Sequence, residues 1–230
     1  MWSTGPSNST SSEALTVSGT DTARPVQVTG HSMIYTVGHS NHPIEQFLSL
    51  LTRHGITALA DVRSTPYSRF NPQFRREPLQ QSLAAVGIQY VFLGEELGAR
   101  SQDPSCYDAD GRVSYARLAR TVLFRQGVER LKTGMGDFRI SIMCAEREPL
   151  ECHRTILVSR ELVHEGIEVR HILGDGSLEE HAHAMQRLVR SLKLTEADLF
   201  SRPEDVVERA YDVQGARIAY VRKAGPPGER

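Results

Sequence analysis

The chain has 230 residues, 39% hydrophobic and 24% charged, which suits one well-cored domain with tails and leaves little room for two. Twenty-seven basic residues stand against 28 acidic ones, so a formal net charge of -1 excludes a polycation held broadly on nucleic acid or anionic lipid; any anion binding has to be local. No apolar stretch reaches the roughly 18 to 20 residues of a membrane-spanning helix and no export signal opens the chain, so the expectation is a cytoplasmic protein with no membrane partner.

Residues 1–32 are rich in Ser and Thr and poor in large apolar groups, and are expected to form a disordered leader. From Met33 a β-rich run, Met33-Ile34-Tyr35-Thr36-Val37-Gly38, predicts the first strand. Ser40 then reads as a helix cap and Pro43 as a first-turn residue, with Ile44, Phe47, Leu48 and Leu51 on one face and His54-Gly55 as the stop. Strand two is expected over Thr57 to Val62, a helix over Pro78 to Val86, and strand three over Gln89 to Leu93. A longer helix is expected from Val113 to about Leu131, strand four over Arg139 to Cys144, a helix from Pro149 to Glu165, and strand five over Glu168 to Leu173. Gly174-Asp175-Gly176-Ser177 marks a turn before a helix from Leu178 to Leu192; the remainder to Tyr220 is short and amphipathic, and 221–230 is expected to be a flexible tail.

Strands alternating with helices imply an α/β fold, three-layered, with a mainly parallel sheet of about five strands, flanking helices and a helical C-terminal extension, all within 33–220. Ligands of such sheets bind beyond the carboxyl ends of the strands. There the sequence places His39 and Ser40 after strand one; Asp61, Arg63, Arg69 and Asn71 after strand two; and Cys144, Glu146, Cys152, His153 and Arg154 after strand four. The long connections Thr65 to Glu77 and Gly94 to Arg112 are of a length that more often serves function than mere linkage.

Several chemistries fit this set. A thiol at Cys144, ahead of a helix opened by Pro149, would be drawn toward thiolate by the helix dipole and nearby guanidinium groups; the alternative is a small buried strand residue. Cys144, Cys152 and His153 could ligate zinc or iron, although the spacing matches no common finger and neighbouring helical residues diverge by about 100°. Three cysteines, an odd number in a chain without an export signal, argue against a disulfide framework. Of the basic residues 24 are Arg, and Arg63, Arg69 and Arg154 with Ser40 and Asn71 would frame a pocket for phosphate or another anion. Asp61 and Glu146 would orient those guanidinium groups or, with His39, act as acid and base; the alternative is two internal ion pairs, Asp61 with Arg63 and Glu146 with Arg154.

Tyr35-Thr36-Val37-Gly38-His39-Ser40, Asp61-Val62-Arg63 with Ser68-Arg69 and Phe70-Asn71, Leu93-Gly94 with Leu97-Gly98, and Cys144-Ala145-Glu146 with Pro149 and Cys152-His153-Arg154 together resemble the domain-of-unknown-function family 488 (DUF488). Ala210-Tyr211, Gln214 and Ile218-Ala219-Tyr220 are similar to that family's ending. The resemblance implies a compact α/β protein and a set of site positions, but no reaction. It departs at Gly94-Glu95-Glu96-Leu97-Gly98, where two acids stand in a segment expected to be glycine-rich. Cysteine phosphatases and rhodaneses also place a thiolate before a helix, but Arg154 lies too far from Cys144 for the short cradle they use.

The leading expectation is an enzyme that binds a phosphorylated or nucleotide-like anionic small molecule at Cys144, Glu146 and the arginines. A nucleic-acid-binding module, using Phe70 and Phe74 among Arg69, Arg75 and Arg76, is one alternative. A cysteine-based metal or redox sensor is the other.

Overall fold

In a computed structural model that describes residues 33–194 and 202–222, each run expected as a strand forms one, and all lie in one sheet. They are β1 (Met33–Gly38), β2 (Ala58–Asp61), β3 (Gln89–Phe92), β4 (Ile140–Cys144) and β5 (Glu168–Ile172), joined by a sixth, β6 (Leu178–Glu180). The order is β3-β2-β4-β1-β5-β6; the first five are mutually parallel and β6 runs antiparallel to β5. The expected leader and most of the expected tail lie outside the described residues.

Alternation along the strands sends side chains to two cores. Ile34, Ala58, Ala60, Ile140 and Ile142 face one side, and Tyr35, Val37, Leu59, Met143 and Ile172 face the other. Helices α1 (Ile44–Arg53) and α2 (Arg76–Ala85) cover the second side with Phe47, Leu51, Leu79 and Leu83. The first is covered by α3 (Gly94–Leu97), α4 (Tyr115–Leu118), α5 (Val122–Gly134) and α6 (Arg160–His164), through Leu97, Phe124, Val128, Leu131 and Leu162. Each such fully buried side chain contributes about 1.5–3 kcal/mol of hydrophobic stabilisation, so both faces must be covered.

Four expectations are corrected. The helix from Val113 to Leu131 is two, because Thr121 adopts an extended backbone and its hydroxyl caps Phe124 N–H, starting α5 afresh. Leu178 to Leu192 is not one helix: the Gly174–Ser177 turn, with Gly176 at φ 84°, is a hairpin that returns the chain as β6 before α7 (His181–Ser191) begins. The segment after Pro149 breaks into a 3-10 turn (Pro149–Glu151), a π-turn (Arg154–Ser159) and α6. Ser40 caps nothing; its φ is 47° and its hydroxyl bonds Asn41 Oδ1.

The C-terminal remainder is longer than expected, forming α8 (Pro203–Ile218). It covers the core: Tyr211 is buried, and Gln214 Nε2 donates to the Leu150 carbonyl across 2.9 Å. Among the described residues no helix is long and apolar enough to cross a membrane.

Candidate functional site

β1 continues into α1 on one face of the sheet, whereas its neighbour β4 continues toward α6 on the other. Loops that diverge this way open a crevice at the strand ends. A cavity of about 720 Å³ occupies it, and His39, Ser40, Arg63, Asn71, Cys144, Glu146 and His153 all line it.

The loops after β1 and β4 touch because Gly38 has no side chain. A Cβ there would stand 1.9 Å from the Glu146 carbonyl oxygen. The ladder therefore runs on past the strands, with His39 N–H donating to the Cys144 carbonyl and Ser40 N–H to the Ala145 carbonyl, each at 2.9 Å.

Arg63 is held on the cavity wall by a fork. Its Nε donates to Asp61 Oδ1 at 2.9 Å and its NH2 to Oδ2 at 2.6 Å, while Tyr90 OH donates to Oδ2 at 2.8 Å. Asp61 is fully buried, so it serves as the counter-ion of Arg63 and is not open to a ligand. Burial works against the Arg63 charge, but its bonds to Asp61 outweigh this and raise its pKa. His39 Nδ1 donates to the Ser40 carbonyl at 2.8 Å, which leaves Nε2 to accept from Arg63 NH1 at 3.3 Å. Burial and the Arg63 charge push the His39 pKa down to about 4, in keeping with a neutral ring. His39 thus orients Arg63, and in this arrangement its lone pair is not free for a substrate proton.

All three cysteines are free and buried. Cys144 ends β4, and its Sγ lies 3.6 Å from His153 Nδ1; Cys152 Sγ lies 3.9 Å from the same nitrogen. Cys152 and His153 converge despite being adjacent because Cys152 is extended, φ -135° and ψ 140°, between the 3-10 turn and the π-turn. Helical divergence, the sequence argument against a shared ligand point, does not operate there.

Protons are distributed unevenly over this cluster. The neighbouring Cys152 sulfur, reinforced by burial, pushes the Cys144 thiol pKa well up. Burial opposes a thiolate at Cys152, but the nearby Cys144 thiol, the Arg154 charge and His153 favour it and bring its pKa well below the usual thiol range. Cys152 Sγ donates to Glu146 Oε2 across 2.9 Å. Although Glu146 is exposed as a residue, burial of its carboxylate end and the Cys152 charge raise its pKa. The two shifts run in opposite directions, loosening the proton on sulfur and favouring one on the carboxylate. Burial lowers the His153 pKa, and its contacts with Cys152 more than reverse this.

Not every expected residue reaches the cavity. Arg69 is exposed and lies 6.0 Å from the Phe70 ring, away from the wall. Arg154 is fully buried and makes no ion pair with the Glu146 carboxylate; it donates instead to the carbonyls of Glu146 at 2.7 Å and Arg147 at 3.2 Å, fixing the loop after β4. Cys152 sits just behind the wall, 1% exposed. Conversely, Tyr115, Arg100 and Tyr220 line the cavity although sequence reasoning did not place them there. Arg100 had a signal, since it lies in an unusually long connection; Tyr115 and Tyr220 arrive through α4 and the C-terminal segment, which no local pattern reveals.

The family model described as "Domain of unknown function DUF488" matches residues 43–160, just over half of the chain. That range includes Arg63, Cys144, Glu146, Cys152 and His153 and leaves Gly38, His39, Ser40 and α8 outside it. No curated protein and no solved structure matches the chain.

Proposed function

This chain belongs to the DUF488 family, and on that footing we propose that it is an enzyme taking a small anionic substrate, phosphorylated or nucleotide-like, into the cavity at the ends of β1, β2 and β4. The observation that supports this best is Arg63. Three of the five N–H donors of its guanidinium are engaged by Asp61 and His39, and two remain for a ligand on the cavity wall. Hydroxyls of Ser40, Ser64 and Ser68 stand on the same wall, and Arg100 adds a second guanidinium. Glu146, beside the Cys152 sulfur, is the group placed to give or take a proton, and Cys144 is the sulfur that meets the substrate. A second reading, single-stranded nucleic acid, loses Phe74, which is fully buried, and draws instead on Tyr67 and Phe70, 61% and 87% exposed, with Arg75 4.5 Å over the Tyr67 ring.

A thermal-shift screen with inorganic phosphate, pyrophosphate, nucleoside phosphates and a short oligonucleotide tests both. An anion at a hundredfold excess over its Kd should raise Tm by about 5–10 °C. Arg63→Lys, which keeps a charge for Asp61 but loses the fork, should weaken the effect at least about tenfold, and Arg69→Ala should leave it intact. No response to any anion, or a full response in Arg63→Lys, removes the reading; a response to the oligonucleotide alone favours the second.

A further inference from the structure

The two sulfurs and the imidazole behind the cavity wall form a set with more order than a proton exchange requires. Cys144 Sγ, Cys152 Sγ and His153 Nδ1 all lie within 4.8 Å of one another, and all three residues are buried. The nitrogen stands 3.6 Å and 3.9 Å from the sulfurs. A tetrahedral zinc ion with ordinary bond lengths spaces nitrogen from thiolate by about 3.6 Å and two thiolates by about 3.8 Å. The set is therefore close to a coordination shell before any ion enters.

The surroundings orient the donors as a metal requires. His153 Nε2 lies 3.1 Å from the Val62 carbonyl, which can only accept, so Nε2 carries the hydrogen and Nδ1 faces the sulfurs with its lone pair. The Arg154 N–H donates to Cys152 Sγ at 3.5 Å, a bond that favours a thiolate. Two thiolates cancel the charge of a divalent ion, and Glu146 Oε2, 2.9 Å from Cys152 Sγ, stands where it can take the proton that this sulfur gives up.

We propose that Cys144, Cys152 and His153 bind a divalent ion of the zinc class, with a fourth coordination position open to the cavity. Two thiolates with one imidazole suit zinc and disfavour magnesium or calcium, which take oxygen ligands. The opening follows from the lining: Cys144 and His153 are on the wall, and Cys152 backs them. Three protein ligands with one open position is the pattern of catalytic rather than structural zinc, the fourth place going to water or a substrate oxygen. This site stands on the ligand geometry alone and does not depend on Arg63 holding an anion.

Untagged protein purified anaerobically without chelator should carry close to one zinc per chain. After the zinc is stripped, Co²⁺ should bind with a thiolate-to-metal charge-transfer band and the intense visible bands of a tetrahedral site. Cys144→Ser, Cys152→Ser and His153→Gln should each lower the apparent cobalt affinity by more than about 100-fold, with folding checked by circular dichroism. Cys106→Ser, which removes the one cysteine outside the cluster, should leave metal content and spectrum unchanged. Wild-type protein that takes up no cobalt, or takes it without thiolate charge transfer, overturns the proposal whatever the variants do. So does zinc retained in the Cys144→Ser, Cys152→Ser double variant. Phosphate-induced stabilisation measured on the same samples can fail or succeed independently, which separates this site from the anion pocket.

Discussion

At Gly38 a single added methyl group would collide with backbone, not with a side chain that can swing aside. Gly38→Ala should therefore force the loop after β4 away from β1, costing about 1–3 kcal/mol or more in urea denaturation. It should also abolish the anion-induced Tm rise at temperatures where the variant remains folded, because Cys144, Ala145 and Glu146 are positioned through that contact. A variant with wild-type stability and ligand response would show that the close approach is dispensable. In the sequence Gly38 reads only as the end of an apolar run. Its reason is a partner more than a hundred residues further on, and no local rule reaches that far. The same limit explains Arg154: proximity in sequence pairs it with the Glu146 carboxylate, whereas in space it holds the Glu146 carbonyl.

Among the elements, the strands were the most legible, because short apolar runs closed by Gly or polar residues have few other uses in a covered sheet. From them alone the carboxyl-end rule gathered His39, Ser40, Arg63, Asn71, Cys144, Glu146 and His153, which share one cavity. The segment from Pro149 to His164 was not legible. Its apolar residues Leu150, Ile156, Leu157 and Leu162 suit a continuous helix, but a 3-10 turn, an extended Cys152 and a π-turn divide it. What holds this irregular path is partly local, Ser159 Oγ donating to the Arg154 carbonyl at 2.8 Å, and partly remote, Gln214 of α8 donating to the Leu150 carbonyl. Gln214→Leu keeps the bulk and loses the bond, a change worth about 1–3 kcal/mol. Hydrogen–deuterium exchange should then rise over 149–154 while the sheet amides stay protected. Unchanged protection in that segment would show that α8 does not brace the site.

For the molecule as a whole, a buried polar chain ties the sheet to its C-terminal helices. Thr36 Oγ1 meets His171 Nδ1 at 2.8 Å, His171 Nε2 meets His181 Nδ1 at 3.0 Å, and His181 Nε2 meets Tyr211 OH. Burial keeps both histidines neutral, holding His181 near a pKa of about 4 and His171 well below the ordinary value. His39 behaves alike, at about 4. Between pH 6.5 and 4 the unfolded chain binds protons that the folded one refuses, so stability is retained above 6.5 and falls as pH falls through that window. His39 and His181 each contribute up to about 3 kcal/mol to this loss. Urea midpoints should decline steadily from pH 7 to pH 4.5, and a flat profile would mean that these rings are charged in the fold. The order of strands has one more consequence, for the way the protein is made. β1 is the first strand to be synthesised, yet its neighbours are β4 and β5, so its apolar side chains have no sheet to join until the ribosome has passed Ile140. A nascent chain interrupted before that point lacks the centre of its own sheet, and over that interval it is the kind of exposed hydrophobic segment that chaperones recognise.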